Sequence, residues 1–144
     1  MSSAISVKRS RDLATPPSTV WALIGCFHAL QRWHPSVTDA HNSGEATTPG
    51  ALRVLTLEGG ASIAEALIRY DGHARSYEYR ILCSPLPVSD YVGALSVSNT
   101  ESGCQVHWEG WFSARYVPDA EAKATIASVY DAGLQSLQEL FSTP

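Results

Sequence analysis

The segment Ile63-Ala64-Glu65-Ala66-Leu67 sets one carboxylate into an apolar run that alternates with the period of a strand. With Ile63, Glu65 and Leu67 on an inner face, Ser62, Ala64, Ala66 and Ile68 point outward. A buried carboxylate either finds a partner or takes up a proton. The preceding run offers one: Arg53, Leu55 and Leu57 share a face, and Arg53 is expected to meet Glu65 in a bidentate pair. Such a pair either poises Glu65 for proton transfer or only ties two strands together. The second group is His34, held between Trp33 and Pro35 where the chain should border a cavity. A histidine near a carboxylate titrates close to neutral pH, as a general acid or base must. The alternative is a structural histidine beside a proline turn.

Parity also groups the aromatic residues. Tyr77, Tyr79 and Ile81 share a face, as do Tyr91, Gly93 and Leu95. Tyrosine hydroxyls on an inner face can hydrogen-bond a developing enolate. The last strand-like run admits two choices. Hydrophobicity turns Val106, Trp108, Gly110 and Phe112 inward, and the opposite parity turns His107, Glu109 and Trp111 inward.

Other chemistries find no support in the residues. There is no Gly-x-Ser-x-Gly, no P-loop and no Gly-x-Gly-x-x-Gly. Cys26, Cys83 and Cys104 are odd in number and lack Cys-x-x-Cys spacing, so they read as small buried hydrophobes. No histidine pair has the spacing of a helical metal site, and no metal or other cofactor is expected. The net charge of -4, with Lys8-Arg9-Ser10-Arg11 as the one dense basic patch, disfavours nucleic acid as a partner. The composition, 44% hydrophobic and 17% charged, is that of a globular protein, and no run is long enough to span a bilayer. Met1-Ser2-Ser3-Ala4-Ile5 lacks the apolar core of a signal peptide, so a cytoplasmic location is expected.

The elements that must position these groups are legible in order. Ile5–Leu13 alternates as a first strand. Thr15-Pro16 opens a short helix, with Thr15 as its cap and Pro16 at the first position, and Gly25 ends it. A second short helix covers His28 to Arg32 and breaks at Trp33-His34-Pro35. Ser36–Ala46 is a weaker strand candidate. Ala51–Leu57, Ser62–Tyr70, Arg75–Cys83, Tyr91–Ser98 and Gln105–Ser113 then form a meander, with Asp71-Gly72 expected as a type I′ turn. Pro118-Asp119 opens a long helix whose stripe is Ala122, Ile126, Val129, Tyr130, Gly133, Leu137, Leu140 and Phe141. Gly133 costs such a helix about 1 kcal/mol relative to alanine. It marks either a close helix–sheet approach or room for a ligand.

This order, with Val20-Trp21, Trp33-His34-Pro35, Gly50-x-x-Arg53, Glu65-x-Leu67-x-x-Tyr70-Asp71 and Asp90-Tyr91, resembles the helix-grip proteins. These are the START-like or SRPBCC superfamily, which includes bacterial polyketide cyclase/dehydratase-like proteins, the birch-pollen allergen group and the plant abscisic-acid receptors. The resemblance implies an α+β fold: one domain over 1–144, with a seven-stranded antiparallel sheet curled around the C-terminal helix and two short helices after the first strand. It also matches receptor pocket positions to His34, Glu65, Tyr79, Tyr91 and Glu109, and so favours the Glu109 face of the last strand. His34 stands where the receptors carry a lysine, and Glu58-Gly59-Gly60-Ala61-Ser62 replaces their gate.

The expected function is that of a cavity protein for a hydrophobic or aromatic small molecule. One version is a cofactor-free cyclase/dehydratase-type enzyme with His34, Glu65 and Glu109 as proton carriers. Trp33, Arg53, Tyr77, Tyr79, Tyr91 and Trp111 would contact the ligand. The other is a non-catalytic carrier or sensor. A monomer or weak homodimer is expected, with neither membrane nor nucleic acid as a partner.

Overall fold

The computed structural model describes residues 4–142. Its strands are β1 (Ile5–Leu13), β2 (Val37–Ser43), β3 (Leu52–Leu57), β4 (Ser62–Asp71), β5 (Ser76–Cys83), β6 (Val88–Thr100) and β7 (Gly103–Ala114). They form one seven-stranded sheet in the order β1-β7-β6-β5-β4-β3-β2, every neighbouring pair antiparallel. Helix α1 (Pro17–Ile24) and a kinked 3₁₀ segment (Phe27–Arg32) lie between β1 and β2, and helix α2 (Asp119–Phe141) closes the chain. The helix-grip arrangement expected from the element order is therefore present. Among the described residues, no helix is long and apolar enough to cross a membrane.

Alternation decides which face of each strand is buried. In β7, Cys104, Val106, Trp108, Gly110 and Phe112 are buried while the residues between them are not. Helix α2 answers with Ala122, Ile126, Ala127, Tyr130, Gly133, Leu134 and Leu137. Burying a side chain such as Ile126 or Leu137 stabilises by about 1.5–3 kcal/mol. Leu140, expected on this stripe, is 51% exposed. Leu134 takes the inward place that the sequence reading missed. On the outer edge, β1 holds α2 by polar contacts: Arg9 pairs with Asp131 at 3.3 Å, and Arg11 donates to Gln135 at 3.0 Å.

Three local expectations change. Helix α1 starts at Pro17 with Pro16 as its cap residue, and no side chain caps it. The β4–β5 connection is not a type I′ turn. Of its residues only Arg75 has a positive φ (50°), and the Asp71 carboxylate accepts the Ala74 N–H at 3.0 Å. A side chain that bonds its own turn removes the need for two left-handed residues. Finally, β6 begins at Val88 rather than Tyr91. Asp90 and Tyr91 together oppose Phe112 in a β-bulge, with Asp90 at φ 54°. The extra residue resets the parity, so Val88 and Tyr91 both face inward.

Candidate functional site

Arg53 and Glu65 are direct cross-strand partners on β3 and β4. Both are buried, at 1% and 6% exposure. Arg53 Nε–H donates to Glu65 Oε1 at 2.7 Å, and Nη1–H donates to the Phe27 carbonyl at 2.8 Å. The pair is thus monodentate, not bidentate, because the 3₁₀ segment claims the other side of the guanidinium. The cation also lies 4.1 Å from the Phe27 ring centroid and 4.9 Å from that of Tyr79. Burial pushes the Glu65 carboxyl upward and Arg53 pulls it back. Glu65, Tyr77 and Tyr79 keep Arg53 charged despite its burial. The second carboxylate oxygen, Oε2, has no hydrogen-bond partner among the described residues and opens onto a cavity of about 200 Å³ between the sheet and α2.

The far wall of that cavity is built on two glycines. Gly93 and Gly110 face each other across β6 and β7, and Tyr79 pairs with Gly93 from β5. A Cβ on Gly93 would sit 2.5 Å from the Tyr79 ring. One on Gly110 would sit 2.1 Å from the Tyr130 hydroxyl. Their missing side chains leave a slot in which three tyrosines meet. Trp108 Nε1–H donates to Tyr79 Oη at 3.0 Å, Tyr79 and Tyr91 share a hydrogen bond at 2.9 Å, and Tyr91 bonds Tyr130. Burial pushes all three hydroxyls upward, so they hold their protons at neutral pH. Four N–H or O–H hydrogens serve these three bonds. The Tyr130 hydroxyl also interacts with that of Tyr79, so the three hydroxyls form one cluster on the cavity wall. A Gly110→Ala change should cost about 1–3 kcal/mol of stability by overpacking. Adding Tyr130→Phe, which removes the obstructing oxygen, should restore most of it in urea unfolding; no recovery would show that the hydroxyl does not set the constraint.

His34 lines the same cavity but is not free to exchange protons. Its Nε2–H donates to the Val129 carbonyl of α2 at 2.8 Å, and its Nδ1 accepts the Ser36 N–H at 3.2 Å. Both partners are backbone groups of fixed polarity, so they fix the tautomer. Burial lowers its pKa, the bond to Val129 opposes this, and the charge of Arg53 adds to the lowering. The near-neutral titration expected from the sequence is therefore replaced by a neutral imidazole. The sign of the linkage follows. The unfolded chain takes up a proton as pH falls through about 6.5, and the folded chain does so only lower. Stability is fully present above that pH and declines below it, by up to about 1.4 kcal/mol per pH unit within the window. His34→Gln should flatten this decline in denaturant titrations between pH 7.5 and 5; an unchanged slope would assign the effect elsewhere.

The other candidates divide. Arg53, Tyr79 and Tyr91 line the cavity with His34 and Glu65. Tyr77 and Trp33 stand behind the wall. Tyr77 receives Arg53 at 3.4 Å, and Trp33 packs on Trp108 at 5.5 Å between ring centroids. Glu109 and Trp111 are on the outer face: Trp111 is 37% exposed, and Glu109 lies opposite Lys8 and Ala94. The inward placement implied by the resemblance is thus overturned. Turning them in would expose Val106, Trp108 and Phe112 and bury a second carboxylate, and hydrophobicity decides the parity. Gly133 is resolved as close packing, since a Cβ there would lie 2.7 Å from Trp108 and 2.9 Å from His34. Tyr130 and the slot glycines were missed as site residues. Two inward glycines in adjacent strands were the available signal.

A long helix gripped by an antiparallel sheet, with a polar-anchored cavity between them, defines a helix-grip protein. Over residues 4–142 the chain matches the family described as "Polyketide cyclase / dehydrase and lipid transport", and it belongs to that family. It is similar to the solved structure of the protein XoxI from Bacillus cereus (TM-score 0.86, 29% identity, 98% of this chain and 96% of that one). Similar too are a Thermobifida fusca protein (0.85, 31%, 95% and 93%) and a Nitrosospira multiformis protein (0.81, 25%, 95% and 96%). No curated protein matches the chain.

Proposed function

We propose that the protein binds a small ring-bearing molecule with a carbonyl or enol oxygen and moves a proton on it, in the manner of a cyclase or dehydratase. The observation that carries this reading is the hydrogen-bonded Trp108–Tyr79–Tyr91–Tyr130 array on the wall of the cavity that Glu65 also lines. A hydroxyl of this array that turns toward the cavity is matched by an acceptor oxygen on the ligand. An acceptor without a partner, Oε2, is matched by an acidic C–H or O–H. In this role Glu65 removes the proton, Arg53 stabilises its carboxylate, and the tyrosine array donates to the oxygen where negative charge grows. The cavity walls hold the reacting carbons together. His34 positions α2 against the β2 end of the cavity and exchanges no proton.

The carrier reading draws on the same cavity, whose remaining wall is mostly aliphatic and aromatic. The two readings part at Glu65→Gln. Native mass spectrometry of wild type and variant reports any retained small molecule, and proton exchange or turnover of that molecule is then followed for both. Retention by both with no chemistry in either supports the carrier. Chemistry lost in the variant while the molecule is still bound supports the enzyme.

A further inference from the structure

The β5–β6 ladder stops early. Its pairs run from Ser76–Ser96 to Arg80–Val92 and no further. Beyond that point β5 stays with β4 as far as Cys83, and β6 stays with β7 back to Val88. The sheet is therefore split at this end. A groove of about 480 Å³ occupies the split, and its lining mixes the two faces: Arg80 and Asp90 from outside, Ile81 and Tyr91 from inside. Ile81 and Tyr91 also line the inner cavity, so the groove and the cavity share a wall. The loop that bounds the split is strapped by Arg115, whose Nη2 donates to the carbonyls of Ser84 at 3.0 Å and Leu86 at 3.2 Å. Arg115 Nε is buried with no partner among the described residues. Arg80 has no ion pair among the described residues either. Two guanidinium groups against the one carboxylate of Asp90 leave the rim net positive.

Size points the same way. The inner cavity, about 200 Å³, falls below the range of roughly 300–1,000 Å³ typical of small-molecule sites. Cavity and groove together fall inside it. We propose that the β5–β6 split is the passage into the cavity, and that its rim holds an acidic group (carboxylate, sulfonate or phosphate) of a ligand whose apolar body lies inside. This extends the function proposed above and rests on its premise that the cavity binds a small molecule.

Two fluorescent probes test it: 1-anilinonaphthalene-8-sulfonate, and N-phenyl-1-naphthylamine, the same scaffold without the acid. The sulfonate should bind more tightly, with an advantage that fades as salt rises. Arg80→Ala, at an exposed position, should raise its Kd about fivefold and leave the neutral probe unchanged. Arg115→Gln should do likewise. Ile81→Trp, checked for folding by circular dichroism, should weaken both probes by plugging the passage. If wild type binds neither probe, the cavity reading fails and this proposal with it. If both bind but Arg80→Ala leaves the sulfonate unaffected, the rim proposal fails while the cavity stands. If Arg80→Ala weakens the sulfonate but Ile81→Trp changes nothing, the groove is a separate surface site and the passage is refuted.

Discussion

Arg53→Met should cost about 3–5 kcal/mol of unfolding free energy at pH 8. The guanidinium does not act through packing alone, since methionine fills much of the same volume. Its loss leaves Glu65 at 6% exposure with no counter-charge and no donor. The only relief is protonation, and burial already pushes this carboxyl upward. With Arg53 gone, nothing opposes that push. A carboxyl whose folded pKa exceeds its unfolded value makes the folded state bind more protons in the interval between them. The variant should therefore be relatively stable at pH 5 and lose stability as pH rises through the raised pKa. Adding Glu65→Gln should remove that pH dependence, because nothing is left to ionise. Urea unfolding at pH 5 and pH 8 decides the matter, and an Arg53→Met deficit that does not change with pH would mean that the pair has no electrostatic role.

Glu65→Gln alone should lower turnover of the true substrate by roughly 10²–10⁴-fold, the usual range for losing a positioned proton carrier. The amide still offers Arg53 an acceptor at the 2.7 Å contact, and the Phe27 carbonyl still takes Nη1–H. The fold should survive with part of its stability gone, about 1.5–3 kcal/mol for a hydrogen bond that loses its charge. What cannot survive is the unpartnered carboxylate oxygen facing the cavity. The KM should change far less than kcat, because the apolar walls and the tyrosine array are untouched. Turnover within twofold of wild type on the same substrate would remove Glu65 from the chemistry and leave the carrier reading in possession of the cavity.

What the sequence made legible was whatever depends on neighbours along a strand. The Arg53–Glu65 pair follows from parity and strand order alone, and both are local. The last strand was legible too, by hydrophobicity, and the resemblance to receptor pockets pulled it toward the wrong face. Turning the strand over would bury one glutamate and expose Val106, Trp108 and Phe112, and the physical preference was the sound guide. The bulge at Asp90 and Tyr91 was hidden because a bulge breaks the period on which such reading relies. The fixed tautomer of His34 was out of reach for a different reason. Its decisive partner is the main-chain carbonyl of Val129, 95 residues away, and a carbonyl carries no sequence signal. Tyr130 stood on the expected helical stripe, but only the three-dimensional slot over Gly110 shows that its hydroxyl, not its ring alone, matters.

The sheet order has one more consequence, in time rather than in space. β1 precedes the other six strands of the sheet along the chain, and among the described residues its one neighbour is β7, the last of them. A ribosome must therefore deliver the hundred or so residues from β1 through β7 before β1 meets its sheet partner. The meander from β2 to β7 can zip up by successive hairpins, each closing a short loop, while β1 waits as an orphan strand. Closure by so distant a partner belongs to the slow, high-contact-order end of folding, in milliseconds to seconds rather than microseconds. Lys8, Arg9 and Arg11 are charges of the kind that keep a waiting strand from pairing with the wrong edge.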